Sequence, residues 1–379
     1  MLNPRVGMKI YDNVWYTRFR LEAEQAADVL AGMGVTYVMA QSKILPMQDT
    51  AIESEVTEAE AARFATLDDR AFRDALAARG IAYFASINIG FDPAFISAHP
   101  NLLPLDQSGR REEKVDWYIG LPPDRMANID QKIGMIEPAV RALMPDGVHL
   151  GFIRWPGLWE VWLPDVRRED MPDYCYACET LSHFRQETGV DIPVNDPGAA
   201  AKAIAAHHRV AWRDWKCAVT NRAVARIRAA AAAIKPDIKI AINTLPFFLE
   251  DFDGAVEEVF GQSVTSLAAV SDVFEVMTYH QILRRDADWP GSIGADIKRR
   301  SGGATTVCTI QGSALYLDSM HAGRGRSETI TTDEFIRAVD GVEVSSVDGI
   351  CVFTFTDFLN MRDTADGRRR IDRLRAFRH

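Results

Sequence analysis

The stretch Asp146-Gly147-Val148-His149-Leu150-Gly151-Phe152-Ile153-Arg154-Trp155-Pro156 reads as a short buried strand that runs into a loop. Its apolar residues are too few for a helix, and the run is bounded by Asp-Gly at one end and Pro-Gly at the other. The same kind of run recurs along the chain, at 8–15, 36–41, 82–87, 148–154, 238–244, 273–280, 305–311 and 349–356. Most of these are rich in Val, Ile, Phe, Tyr or Thr, as buried parallel strands are. Helical patterns separate them, at 21–33, 68–79, 126–143, 212–234, 256–270, 292–300, 332–340 and 366–377.

Local punctuation agrees with that division. Thr66-Leu67-Asp68-Asp69 offers capping side chains ahead of one helix, and Gly34 and Gly80 each stand between a helix and the next strand, where a left-handed residue ends a helix. Thr332-Asp333-Glu334 puts acids in a first turn, where they complement the helix dipole. Repeated β-then-α units predict a closed (β/α)8 barrel of the TIM type formed by residues 1–379 as one domain. A doubly wound open sheet is the alternative, but its first strand is usually followed by a glycine-rich phosphate turn. Here that turn reads Asp12-Asn13-Val14-Trp15. Two long insertions, 92–123 and 156–211, follow the third and fourth strands, so both rise on the C-terminal face where such barrels carry their sites.

Composition narrows the function. The 43 basic and 53 acidic residues leave a net charge of −10, which argues against a nucleic-acid partner and weakly against an anionic membrane surface. No run approaches the roughly 20 apolar residues that cross a bilayer, and 1–16 does not read as a secretory leader. The five cysteines, Cys175, Cys178, Cys217, Cys308 and Cys351, are odd in number and scattered. Reduced thiols in the cytoplasm are therefore expected. The CxxC pair Cys175/Cys178 lacks a second half-site, so a structural zinc recruiting His183, His207, His208 or Cys217 is the lesser reading beside plain loop thiols. No metal and no cofactor are expected. The run His321-Ala322-Gly323-Arg324-Gly325-Arg326 follows the seventh strand and reads as a solvated loop, with anion contact as the alternative.

Chemistry concentrates after the fourth strand, where Arg154, Trp155, Trp159, Glu160 and Trp162 stand together. Aromatic platforms beside charged hydrogen-bonders suit sugars, which present flat C–H faces and many hydroxyls. Polar residues near other strand ends extend the bowl: Gln41 and Lys43, Asn88, Asn243, Tyr279 and His280, and Gln311. The acids in position to act are Glu160, Asp357 and Asp12. Glu160 among tryptophans should have a raised pKa that suits a general acid, with Asp357 or Asp12 as nucleophile or base. Glu275 lies within the sixth strand and reads as structural or wall-lining.

The run 146–156 resembles the fourth-strand motif of glycoside hydrolase (β/α)8-barrel families, Asp-Gly-(hydrophobic)-x-Leu-Asp-(aromatic)-Ile-Arg-(aromatic)-Pro. Tyr174-Cys175-Tyr176-Ala177-Cys178, with Phe184 and Glu187-Thr188-Gly189, is similar to a segment those barrels often carry. The resemblance implies a glycosidase with a carbohydrate substrate and a two-carboxylate mechanism. One position departs from it: Gly151 stands where the motif has an aspartate. That departure implies a relocated acid, an opened pocket or lost hydrolysis. Two other classes stay open. One is a metal-dependent sugar isomerase or epimerase using His280 and Asp357 as ligands; the other is a non-catalytic glycan-binding barrel. The long loops would serve to close a pocket or to build a homo-oligomer interface.

Overall fold

The computed structural model describes residues 5–47, 56–115, 117–318 and 323–377. His321 and Ala322 of the Gly-Arg loop lie outside them. Eight parallel strands close in sequence order: β1 (Val6–Ile10), β2 (Tyr37–Ala40), β3 (Ala82–Asn88), β4 (Gly147–Gly151), β5 (Lys239–Thr244), β6 (Val273–Val276), β7 (Thr305–Gln311) and β8 (Gly349–Phe353). Closure is made by β1 and β8, with Gly7 opposite Cys351 and Met8 opposite Val352. The expected (β/α)8 TIM barrel is thus the fold. No helix among the described residues is long and apolar enough to cross a membrane.

Strand alternation sorts the side chains into two cores. Met8, Ile10, Val148, Leu150, Ile240, Ile242, Phe274, Val276, Ile350 and Val352 face the surrounding helices and join their apolar stripes. Tyr37, Met39, Phe84, Ala241, Val273, Val307 and Cys351 fill the barrel. Above that apolar plug the inward positions turn polar: Lys9, Ser86, His149, Asn243, Glu275 and Thr309 are all buried. Such layering, with alternate strands contributing each tier, is how a small barrel is filled.

Helix ends follow the capping signals. Asp68 caps the helix Asp69–Ala78 by accepting from the amides of Arg70 and Ala71. Thr331 and Glu334 form a reciprocal capping box on Thr332–Glu343. Gly34 and Gly80 have φ of +82° and +70°, the left-handed region in which a Cβ is unfavourable.

Several boundaries differ from the sequence expectation; β4 and β8, expected to run to residues 154 and 356, end at Gly151 and Phe353. The first strand ends at Ile10, because Trp15 belongs to a short helix, Val14–Thr17, and stacks on Phe72 at 4.4 Å. β6 ends at Val276 rather than at residue 280. The single helix expected over 256–270 is two short ones, Ala255–Glu258 and Val264–Leu267. Between them Gly261 turns with φ +58° against the Trp155 ring, a position that admits no side chain.

The two insertions differ in build. The one after β4 carries its own core, in which Trp155, Tyr174, Tyr176, Leu181, Phe184 and Ile204 pack with Trp212, Trp215 and Val219 of the helix Arg209–Ala232. The one after β3 contributes Phe91, Trp117 and Tyr118 to an aromatic cluster with Phe152 and Leu158.

Candidate active site

The floor of the C-terminal bowl is a buried charged cluster. Lys9 Nζ lies 2.9 Å from Glu275 Oε1 and donates to the Tyr279 hydroxyl at 3.4 Å. His149 Nε2 is 3.3 Å from Glu275 Oε2, and its Nδ1 meets Ser86 Oγ at 3.2 Å. Asn243 and Thr309 also donate to the Glu275 carboxylate. Burial alone would neutralise these groups. It pushes Glu275 up, but Lys9 and His149 outweigh it and hold the carboxyl below its ordinary value. It pulls Lys9 down, but Glu275, Tyr11 and Tyr279 hold the ammonium well above its ordinary value. For His149 burial wins and the pKa falls, so the ring is neutral at neutral pH. Aromatic faces surround the ammonium, with Tyr11, Phe353 and Tyr279 centroids at 5.1, 5.7 and 5.9 Å.

A second group stands in the loops after β3 and β4. Arg154 is buried with its guanidinium 4.9 Å from the Phe152 ring centroid. Two carboxyls feel its charge. Glu112 is pushed up by burial to about 8, against one hydrogen bond from the Gly120 amide at 3.1 Å and the pull of Arg154. Glu160 is pushed up by burial to about 7, opposed by Arg154 and by a hydrogen bond with Tyr316. Among the described residues neither carboxyl hydrogen-bonds to the guanidinium, whose Nε and Nη2 have no partner, and Glu160 Oε2 has none either. Arg326 closes this side by donating to the carbonyls of Glu160 and Ile282, each at 2.7 Å.

Gly151 has a steric reason to lack a side chain. A Cβ there would lie 2.6 Å from Asn88 Oδ1 and 3.1 Å from Asn243 Oδ1. The end of β4 is therefore occupied by two amides from its neighbouring strands, and Asn88 Oδ1 has no hydrogen-bond partner.

The residues expected to form the site divide into two sets. Asn88, Asn243 and Tyr279 meet around the Lys9–Glu275 floor, while Arg154 and Glu160 share the loop group. Trp159 is buried beside Tyr279, ring centroids 5.8 Å apart. Others are committed elsewhere. Trp155 is 0% exposed, stacks among Trp212 and Trp215, and donates to the Lys216 carbonyl at 3.0 Å. Trp162 is buried against Phe247, Phe252 and Phe260. Neither presents a free face to a sugar. Lys43 caps a helix end by donating to the Ala65 and Leu67 carbonyls at 2.8 and 2.9 Å. His280 turns to the outer helices, Nε2 3.1 Å from Glu334 Oε1. Gln311 bonds Gln281 at 3.1 and 3.2 Å.

Of the acids, Asp357 is the capping-box residue of Phe355–Met361: one oxygen accepts from Thr354 N and Oγ1 and the other from Ser313 Oγ. Asp12 accepts from Thr356 Oγ1 and the Val14 amide, and burial raises its pKa with a contribution from nearby Asp357. Among the described residues no group of three His, Cys, Asp or Glu side chains is placed to hold a metal. All five cysteines are free thiols. Cys175 is buried beside Arg125, and Cys178 is exposed at the start of the helix Cys178–Thr188.

Lys9, His149 and Glu112 were missed from the sequence. The first two had a readable signal, since each is a polar residue at an inward, period-two position of a strand. Glu112 had none, because only the fold of its loop buries it.

No protein-family model matches the chain, and none of the curated proteins does. Solved structures do. The PgaB (BpsB) glycoside hydrolase domain from Bordetella bronchiseptica superposes with a TM-score of 0.65 at 14% identity, over 98% of this chain and 99% of that one. A β-galactosidase from Rahnella sp. R3 gives 0.62 at 12% identity, over 99% of this chain and 56% of that one. The α-L-fucosidase isoenzyme 2 from Paenibacillus thiaminolyticus gives 0.56 at 14% identity, over 99% and 49%. The chain thus spans about half the length of the latter two enzymes. At these identities the likeness establishes the barrel fold, which hosts many chemistries.

Proposed function

We propose that the chain is a glycoside hydrolase acting on an oligo- or polysaccharide or a glycoside, with Glu160 as the proton donor. One observation carries this reading: a carboxyl raised by burial to about 7, with an oxygen that has no partner, on the loop following β4. A carboxylic acid kept protonated near neutrality is what departure of a sugar alkoxide requires. The same fold in several solved glycosidases raises the expectation of this chemistry by analogy.

Asp12 or Asp357 is the partner carboxylate in this proposal; each already accepts hydrogen bonds on both oxygens, Asp12 from Thr356 and the Val14 amide, Asp357 from Thr354 and Ser313. Arg154, Asn88, Asn243 and Tyr279 would hold the sugar, over a floor whose charges are fixed by Lys9 and Glu275.

The test is product analysis of the purified protein with a broad panel of glycans and aryl glycosides. Release of reducing sugar that is lost in Glu160→Gln, with the variant still folded, is the expected result. Equal release by the variant removes Glu160 from the mechanism. A second reading, a glycan-binding barrel without turnover, is favoured by Gly151, where amides replace the carboxylate of the related strand motif. Saturable glycan binding with no product from any panel member would select it.

A further inference from the structure

Arg154 is unusual among the buried cations of this protein. Lys9 is paired with Glu275, Lys132 with Asp92 at 2.6 Å, Lys216 with Asp173 at 3.1 Å and Arg125 with Asp124 at 2.9 Å. Arg154 is 3% exposed, and among the described residues its Nε and Nη2 find no acceptor. Those two nitrogens form the edge of the guanidinium that binds a carboxylate through two parallel hydrogen bonds. A buried charge left this way is costly, so the arrangement is explained best by an acceptor that arrives with a ligand.

We propose that the Nε/Nη2 edge of Arg154 receives the carboxylate of a uronic-acid residue, so that the substrate is an acidic glycan. This rests on the reading of the bowl as a glycan site and names the substrate class for it. The surrounding residues fit that ligand. Glu112 and Glu160 are neighbours that would neutralise the guanidinium if ionised, but burial raises both to about 8 and about 7. Near neutrality much of their population is protonated, and the cation is left for the ligand. Glu160 Oε2 and Asn88 Oδ1 are likewise buried without a partner among the described residues. Phe152, stacked on Phe91 and lying against the guanidinium, supplies apolar surface at the same place. The net charge of −10 does not oppose this. Charges farther away than about 8 Å are screened at physiological salt, and the local field carries Arg326 beside Glu160 as well.

The test is calorimetric titration of the full chain with trigalacturonate, triglucuronate and trimannuronate, each beside its neutral trisaccharide, and with a 6-sulfated neutral trisaccharide. At least one uronate should bind roughly 10- to 100-fold more tightly than its neutral counterpart, the usual worth of hydrogen bonds to a charged group. Arg154→Met should erase that margin, costing the uronate far more affinity than it costs the neutral sugar. Arg154→Lys should recover only part of it, since an ammonium lacks the planar edge. Arg154→Met should also melt no lower than the parent, because it removes an unpaired buried charge. Preference for the neutral or the sulfated sugar, absence of binding by every uronate, or unfolding of Arg154→Met would each overturn the proposal. Binding of a uronate in Glu160→Gln, with no product from either protein, would instead overturn hydrolysis and leave the carboxylate clamp standing.

Discussion

Lys9 on β1 and Glu275 on β6 meet inside the barrel, Nζ to Oε1 2.9 Å, with side chains 1% and 0% exposed. The two strands are not neighbours in the sheet, being separated by β7 and β8, so the pair reaches across the interior and ties the bowl's floor between non-adjacent walls. Each charge is held by the other and by the hydrogen bonds of His149, Asn243, Thr309 and Tyr279, and the ammonium also by the Tyr11 and Phe353 rings. Removing one partner leaves the other buried and uncompensated, at a cost of about 3–5 kcal/mol. Lys9→Met and Glu275→Gln are therefore expected to lower the urea midpoint strongly. The double variant Lys9→Met/Glu275→Gln should be less destabilised than the sum of the two singles. Singles that unfold at the parent's midpoint would refute an ionised pair.

The same cluster sets the response to acid. His149 has its pKa depressed below 6.5, mainly by burial. Between that lowered value and 6.5 the unfolded chain binds a proton that the folded chain refuses, so stability falls as pH falls through this window and is complete above it. Glu275, also depressed, adds a further loss as pH drops below its ordinary 4.5. Lys9, raised well above 10.5, contributes fully below 10.5 and loses that contribution only as pH rises through the folded value. Glu112 and Glu160, raised to about 8 and about 7, act in the opposite sense and add stability as pH falls toward their ordinary 4.5. The His149 contribution is therefore read as the difference between the denaturation midpoints of the parent and of His149→Gln, which should shrink as pH falls below 6.5. A difference that stays constant with pH would show that His149 is not a titrating group.

Gly151 offers a local test of the bowl's packing. An added Cβ would stand 2.6 Å from Asn88 Oδ1 and 3.1 Å from Asn243 Oδ1, on the neighbouring strands β3 and β5. Overpacking of this kind costs about 1–3 kcal/mol, so Gly151→Ala should lower stability by that order. Asn88→Ala removes the nearer clash, and the double variant should recover part of the loss. Additive effects in the thermal melts of the two singles and the double would mean that the strand ends relax independently.

How much of this was legible in the sequence depended on what set each residue's environment. The strand and helix order follows from apolar periodicity, which is local, and Thr305–Gln311 and Met126–Leu143 fall where the pattern puts them. Strand termini were overrun where apolar residues continued past the barrel, as at Trp15, whose partner Phe72 belongs to another unit of the chain. The tryptophans after β4 could not be sorted by composition. Trp155 packs against residues 212 and 215, and that contact, made over a long separation, decides that it is core rather than platform. Asp357 was ambiguous for a different reason: a rim carboxylate and a helix-capping carboxylate look alike until the amide of Thr354 is seen to bond it. Glu160 is the opposite case, since its aromatic surroundings in sequence anticipated the burial that raises it.

That raised carboxyl gives the most discriminating kinetic expectation. A proton donor must be protonated to act, so with Glu160 at about 7 the rate should fall as pH rises through about 7. Tyr316 hydrogen-bonds the carboxyl and lowers its pKa, so Tyr316→Phe should move this limb to higher pH. Glu160→Gln should slow hydrolysis of poor leaving groups by about 10²–10⁴-fold, the usual worth of general acid catalysis. Dinitrophenyl glycosides carry a leaving group that departs without protonation, so on them the variant should retain most of the parent's rate and lose the alkaline limb. Steady-state kinetics on alkyl, nitrophenyl and dinitrophenyl glycosides across pH separate the possibilities. An equal loss on all three would mean that Glu160 positions the sugar or supports the loop. A loss that shrinks as the leaving group improves identifies the proton it gives.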